Sequence, residues 1–178
     1  MVNDKVASRY AKALLIIAKE FDSTKIVLDD LKNILGLLNT SKDFYLLTQS
    51  PVIRPSKKLT IFNEILKDKV STLTFKFMEL LIRKGRESHI KAIITSYREQ
   101  YNELNNLLEV QISTAKELSQ LLKVAIVDKV NQLTGKTILP EFKQDVAIIG
   151  GVQIKFADFF FDASIKKQLS DLFDEIAN

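Results

Sequence analysis

The 178-residue sequence has no cysteine, one histidine, three prolines and five glycines. Without cysteine there is no disulfide framework, no thiolate metal site and no cysteine nucleophile, and the chain fits a reducing compartment. A lone imidazole, His89, excludes a clustered-histidine metal centre. No apolar run approaches the ~20 residues that a membrane span needs. The first residues, with Asp4 and Lys12 inside a helical pattern, lack the charged-then-apolar layout of a signal peptide. What is present is 46% hydrophobic and 27% charged residues, the balance of an ordinary globular protein with length enough for one or two small domains.

The net charge of +4 hides an asymmetry. Residues 1–105 hold 18 Lys and Arg against 12 Asp and Glu, a balance of +6, and residues 106–178 hold 8 against 10, a balance of −2. A basic half raises the possibility of a nucleic-acid-binding helical domain. The simpler reading is that these lysines form the solvated outer faces of helices.

Up to about Asn105 the pattern is helical throughout. Val6, Tyr10, Ala13, Leu14, Ile17, Ala18 and Phe21 recur at three and four residues, which predicts an amphipathic first helix capped by Asn3. Asp22-Ser23-Thr24 breaks it, and a second helix runs on Ile26 or Val27, Leu31, Ile34, Leu35 and Leu38. Ser41 caps a short third helix through Phe44, Leu46 and Leu47, stopped at Ser50-Pro51. Pro55 and Ser56 open a fourth with Leu59, Phe62, Ile65 and Leu66 inward. Ser71 caps a fifth, apolar nearly all round from Leu73 to Ile82, which ends at Lys84-Gly85. A sixth runs from about Glu87 to Asn105 with Ile90, Ile93, Ile94 and Leu104 inward. Six short helices with short loops predict a compact bundle over residues 1–105.

The period then changes. Leu108, Val110 and Ile112 alternate with polar residues as in a strand. A helix follows on Leu118, Leu121, Leu122, Ala125, Ile126, Val130 and Leu133, closed by Gly135. Thr137 to Phe142 reads as a second strand that Pro140 confines to an edge or bulge. Strand, helix, strand is a crossover unit. Residues 145–165 supply a third strand at Val152–Phe156, a turn at Ala157-Asp158 and a return strand at Phe159–Phe161. Asp162 or Ser164 caps a last helix carrying Ile165, Leu169, Leu172, Phe173 and Ile176. The expected class is α+β: an N-terminal six-helix bundle, then a small α/β domain over residues 106–178 with a short mixed sheet.

Catalytic chemistry is hard to find. Gly150-Gly151 has no lysine, serine or threonine placed as in a phosphate loop, and reads as a bulge or a close backbone approach. A small enzyme with a ligand at these glycines is the weaker alternative. His89 has no marked general-base partner. Asp29-Asp30 and Asp174-Glu175 are adjacent on helices and face different ways. Ser113, Ser119 and Ser164 lack a nucleophile-elbow context. Phe159–Phe161 offer stacking surfaces for bases, but they are flanked by Asp158 and Asp162, and core packing is the expectation.

Several short motifs, in order along the whole chain, carry a resemblance. They are Ala7-Ser8-Arg9-Tyr10-Ala11-Lys12-Ala13-Leu14, Ser50-Pro51, Gly85-Arg86, Ser113-Thr114-Ala115 with Leu118, and Asp145, Ile149-Gly150-Gly151, Asp158, Asp162 and Ser164. The chain resembles the delta subunit of F-type ATP synthase, related to the mitochondrial oligomycin-sensitivity-conferring protein. One departure is Ala157, where the family usually has glycine before the turn aspartate.

The resemblance implies a non-catalytic stator with no cofactor and no metal, which ties the catalytic alpha/beta hexamer to the peripheral stalk. The N-terminal bundle would hold the N-terminal helix of an alpha subunit, and the C-terminal domain the C-terminal ends of the b subunits. Nucleic acid would be no partner, and membrane contact would be indirect, on the cytoplasmic face of a bacterial cell membrane. The alpha helix is expected between the first and fifth helices, an apolar face in an apolar groove. By position Tyr10, Ala13, Leu14, Ile17, Phe77, Leu80, Leu81 and Lys84 are the candidates to line that groove.

Overall fold

The computed structural model describes residues 5–156 and 159–169. Helices come first: α1 (Lys5–Glu20), α2 (Thr24–Thr40), α3 (Lys42–Gln49), α4 (Pro55–Leu66), α5 (Thr72–Arg83) and α6 (Ile90–Leu104). Then come β1 (Leu107–Thr114), α7 (Gln120–Thr134), β2 (Thr137–Gln144), β3 (Gly151–Phe156) and β4 (Phe159–Ser164). The class is α+β, mostly helical, with one four-stranded mixed sheet. The chain divides into two compact units, Met1–Asn102 and Glu103–Asn178.

In the first unit, polar side chains set the helix ends. Ser41 Oγ accepts from the Phe44 amide at 3.2 Å, and Ser71 Oγ from the Thr74 amide at 3.4 Å. Each satisfies one of the orphan donors of a first turn. At the end of α5, Gly85 takes φ +62°. The Arg86 amide reaches back to the Leu81 carbonyl at 2.8 Å and the Gly85 amide to Ile82 at 3.1 Å, a Schellman closure. The sixth expected helix is split: residues Glu87–His89 form a 3-10 turn before α6 begins.

The core of this unit is one apolar cluster from Ala7 to Tyr97. Within it Leu31, Ile34, Leu81 and Tyr97 are fully buried. Three polar links cross it. Asp30 Oδ2 accepts from the Ser71 amide at 2.8 Å, joining α2 to the start of α5. The Tyr97 hydroxyl donates to the Thr24 carbonyl at 3.1 Å. Lys58 of α4 pairs with Glu87 of the 3-10 turn. The predicted faces need one correction here. α1 buries Ala7, Ala11, Leu14, Leu15 and Ala18, so its inward stripe is turned by about one residue from Val6, Ala13, Ile17 and Phe21. Small alanines fill three of the five buried positions, and Ala13, Ile16, Ile17 and Phe21 are left exposed.

The second unit is built on a sheet of order β2-β1-β3-β4. β1 and β2 are parallel, with Val110 opposite Pro140. Pro140 is therefore on an edge strand, where its missing amide costs no ladder bond. β3 runs antiparallel to both β1 and β4. This register gives the sheet two unlike faces, because side chains alternate along each strand. One face carries Val110, Ile112, Ile138, Phe142, Val152, Ile154, Phe156, Phe159 and Phe161. The other carries Glu109, Gln111, Glu141, Lys143, Gln153, Lys155 and Asp162.

Only Val130 of α7 is buried, with Ile126 and Val127 packed beside it against the cluster of Val110, Ile112 and Ile138. Leu121, Leu122 and Leu133, expected on the inward stripe, are 80%, 51% and 74% exposed, because α7 is apolar on more than one side. Phe159, Phe160 and Phe161 are also corrected: they are exposed on edge strand β4, not packed in a core. Phe156 stacks on Phe159, at 5.4 Å between centroids. Gly151 shows the close approach expected of it. It sits at φ +86°, and a Cβ there would run into the Ala163 carbonyl. Ser164, not Asp162, caps the residues after β4, its Oγ accepting from the Lys167 amide at 3.2 Å. The cap at Asn3, the turn at Ala157-Asp158 and Leu172, Phe173 and Ile176 lie outside the described residues.

Candidate functional site

Apolar residues fill α1 without a break from Ala13 to Ala18, more than one helix face requires. The side holding Ala11, Leu14 and Ala18 is spent on the core, which leaves a second apolar row. α5 repeats the situation. Phe77, Met78, Leu81 and Ile82 are buried, and Leu80 stays outside. The two helices touch where the Tyr10 and Phe77 rings meet edge-on, 6.5 Å between centroids and 63° between planes, a favoured aromatic geometry.

The eight sequence candidates separate cleanly around this contact. Leu14, Phe77 and Leu81 are buried and belong to the core. Tyr10 is half-buried and forms the seam with Phe77. Ala13, Ile17, Leu80 and Lys84 are exposed, with Ile17 at 40% and Leu80 at 43%. Of the candidates, the accessible apolar ones are therefore Ala13 and Ile17 on α1 and Leu80 on α5. Lys84 supplies a cation at the helix C-cap, where the macrodipole favours positive charge.

Sequence reasoning missed Ile16, which is 52% exposed. The signal was available: with Ala7, Ala11 and Ala18 read as the close-packing side, Ile16 falls on the outer side with Ile17. It also missed Lys58, whose place in the fourth helix reads as solvent-facing but which is buried to 1%.

The chemistry of the remaining candidates is structural. Asp29 pairs with exposed Lys32 at 3.3 Å while Asp30 turns inward to Ser71. His89 is half-buried in the 3-10 turn. Burial pushes the Tyr97 phenol well above its ordinary value, with Tyr101 adding to the shift. Hydrogen bonds from Ser164, then Gln153, hold Asp162 below the usual carboxylate range. Among the described residues there is no group of three or more His, Asp or Glu arranged to hold a metal ion. Among them, too, no helix is long and apolar enough to cross a membrane.

Comparison with known proteins covers nearly the whole chain. A family model described as ATP synthase delta (OSCP) subunit matches residues 6–176. The ATP synthase subunit delta of Salinibacter ruber is 33% identical over 171 residues, 96% of this chain and 90% of that protein. That of Christiangramia forsetii is 34% identical over 176 residues, 99% and 95% of the two chains. Among solved structures, a chain of the Toxoplasma gondii mitochondrial ATP synthase hexamer superposes with a TM-score of 0.70 over 97% of both chains. At 18% identity that likeness speaks to the fold alone.

Proposed function

Because the chain belongs to the ATP synthase delta (OSCP) subunit family, we infer that it is a stator that works by holding two partners at once. It is a structural subunit of the F-type ATP synthase, a peripheral part of a membrane complex, and not a catalytic one. Its task is to tie the catalytic hexamer to the peripheral stalk, so that rotor torque drives ATP synthesis and does not spin the hexamer. Family membership displaces the nucleic-acid alternative. The basic balance of residues 1–105 is then the solvated side of helices, as with exposed Lys12, Lys57 and Lys76.

The first unit takes the N-terminal helix of an alpha subunit along the α1/α5 seam. The observation that carries this assignment is the set of exposed apolar residues on the same flank as the Tyr10–Phe77 contact: Ala13 and Ile17 on α1 and Leu80 on α5. An amphipathic helix laid there buries its apolar stripe against them, while Tyr10, Leu14, Phe77 and Leu81 form the floor. Lys84 is placed to meet an acidic group on the incoming helix.

The second unit takes the C-terminal ends of the b subunits. In support, α7 covers the β1–β2 half of the apolar sheet face and leaves Phe159 and Phe161 on the β3–β4 half open. Contiguous apolar surface of this kind marks an interaction site. Two modest interfaces on one chain then reinforce each other through effective concentration. Attachment is on the cytoplasmic face of a bacterial membrane and reaches the bilayer only through the complex.

The test is binding of a synthetic alpha-subunit N-terminal helix to the full chain. Micromolar binding that weakens at least tenfold in Leu80→Asp and Ile17→Asp supports the site. No binding at micromolar concentration, or binding untouched by both substitutions, overturns it.

A further inference from the structure

The first unit holds a buried ion pair away from the α1/α5 seam. Lys58 Nζ lies 2.5 Å from Glu87 Oε1, with the two side chains only 2% and 12% exposed. The second carboxylate oxygen, Oε2, is buried and accepts no hydrogen bond among the described residues. A buried ion pair that leaves an acceptor unmatched is a poor route to stability, and a well-packed apolar pair is often as good or better. What such a pair does supply is a fixed distance and direction between two elements.

Those elements matter. Lys58 stands in the first turn of α4. Glu87 follows directly on the Gly85-Arg86 closure, whose amides bond back to Ile82 and Leu81 of α5. The end of α5 is thus coupled to Glu87 through two backbone hydrogen bonds, and Glu87 to α4 through the ion pair. The same turn is held from α3, where Gln49 Nε2 donates to the Ser88 carbonyl at 3.3 Å. Leu80 and Lys84 lie on the last turns of α5, just before this anchor.

We propose that Lys58 and Glu87 are positioning residues for the partner seam: their buried pair fixes the C-terminal end of α5 against α4, and with it the α5 side of the seam, without touching the partner. The proposal rests on the alpha-helix reading above for its function, but its geometry is testable without any partner. Replacing both groups by Met removes the charge and keeps the bulk. A non-directional apolar pair no longer fixes the α5 end.

The experiment uses the full chain, whose lack of cysteine allows two spin labels at exposed Lys12→Cys on α1 and Arg83→Cys on α5. Lys58→Met and Glu87→Met singly are expected to lower Tm by about 10 °C or more, since each strands a buried charge. The double variant is expected to regain most of that loss. Its Lys12–Arg83 distance distribution nevertheless broadens or shifts, and its affinity for the synthetic alpha-subunit helix falls about tenfold. Lys58→Arg keeps the pair and restores the wild-type distribution. Should that double variant fail to fold, the pair Lys58→Met with Glu87→Gln, which also carries no charge and keeps the carboxamide shape at position 87, is judged by the same distances. An unchanged distance distribution in the folded charge-free variant overturns the proposal. Absence of helix binding by the wild-type chain overturns the partner reading and leaves the distance result to decide the positioning role.

Discussion

The Tyr97 hydroxyl donates to the Thr24 carbonyl at 3.1 Å, closing 73 positions of chain with one hydrogen bond. Tyr97 is fully buried, so the bond ties α6 to the first residue of α2 from inside the core. Burial also sets its ionisation. The phenol is pushed well above its usual value of about 10, first by desolvation and then by Tyr101.

A raised folded-state value means that the neutral form is the one the fold favours. The associated stability is complete below about pH 10 and is lost as pH rises towards the folded value. Denaturation curves taken from pH 8 to 11.5 are therefore expected to show falling stability in the wild-type chain. Tyr97→Phe removes that part of the alkaline loss and, by leaving the Thr24 carbonyl without its donor, costs about 1 kcal/mol at neutral pH. An alkaline slope identical in both chains would count against this assignment.

The two faces of α5 separate fold from binding. Leu81→Asp places a charge where the side chain is fully buried, and the first unit is expected to lose several kcal/mol and unfold. Leu80→Asp, at a position 43% exposed, is expected to change stability by less than about 1 kcal/mol. Circular dichroism melts on the two variants distinguish them before any partner is added.

Glycine substitutions probe the second unit. Gly135 at φ +65° has open space around a Cβ, whereas a Cβ at Gly151 meets the Ala163 backbone of β4. Gly135→Ala is expected to cost about 1–2 kcal/mol from the left-handed conformation alone. Gly151→Ala is expected to cost clearly more, because neither backbone can yield without breaking the β3–β4 ladder. Equal urea midpoints for the two variants would show that the close approach is unimportant.

Asp162 gives an acid-side test. Its carboxylate accepts from the Ser164 amide at 2.9 Å and from Gln153 Nε2 at 3.0 Å, which lowers its folded value below the ordinary carboxylate range. The contribution of these bonds is present above about pH 4 and disappears as pH falls through the folded value. NMR titration of the Asp162 carboxyl is expected to show a midpoint below that of an exposed aspartate. Asp162→Asn is expected to flatten the pH dependence of the β3–β4 hairpin.

Helix ends and strand period were legible in the sequence because they depend on near neighbours. Ser41 and Ser71 cap where their spacing predicts, and Gly85 and Gly135 close helices with positive φ; Ser119 caps α7, where the apolar pattern places Leu118 inside the helix. Pro140 announced an edge strand. What could not be read depends on contacts across the chain. α1 is apolar on two sides, and only the neighbouring helices determine that Ala7 and Ala11 face in while Ile16 and Ile17 face out. Lys58 looks like any surface lysine until Glu87, 29 positions away, comes to meet it. Phe159–Phe161 read as core because their acidic flanks argued against a base-stacking surface, but nothing in a local pattern says that they end up exposed on an edge strand. The candidate seam was legible as a pair of helices, and its division into floor and rim was not.

The exposed edge strand β4 bears on the chain before assembly. A freshly made copy presents Phe159, Phe160 and Phe161 together on an unpaired edge strand, the kind of surface that templates strand-to-strand aggregation and that chaperones and proteases screen for.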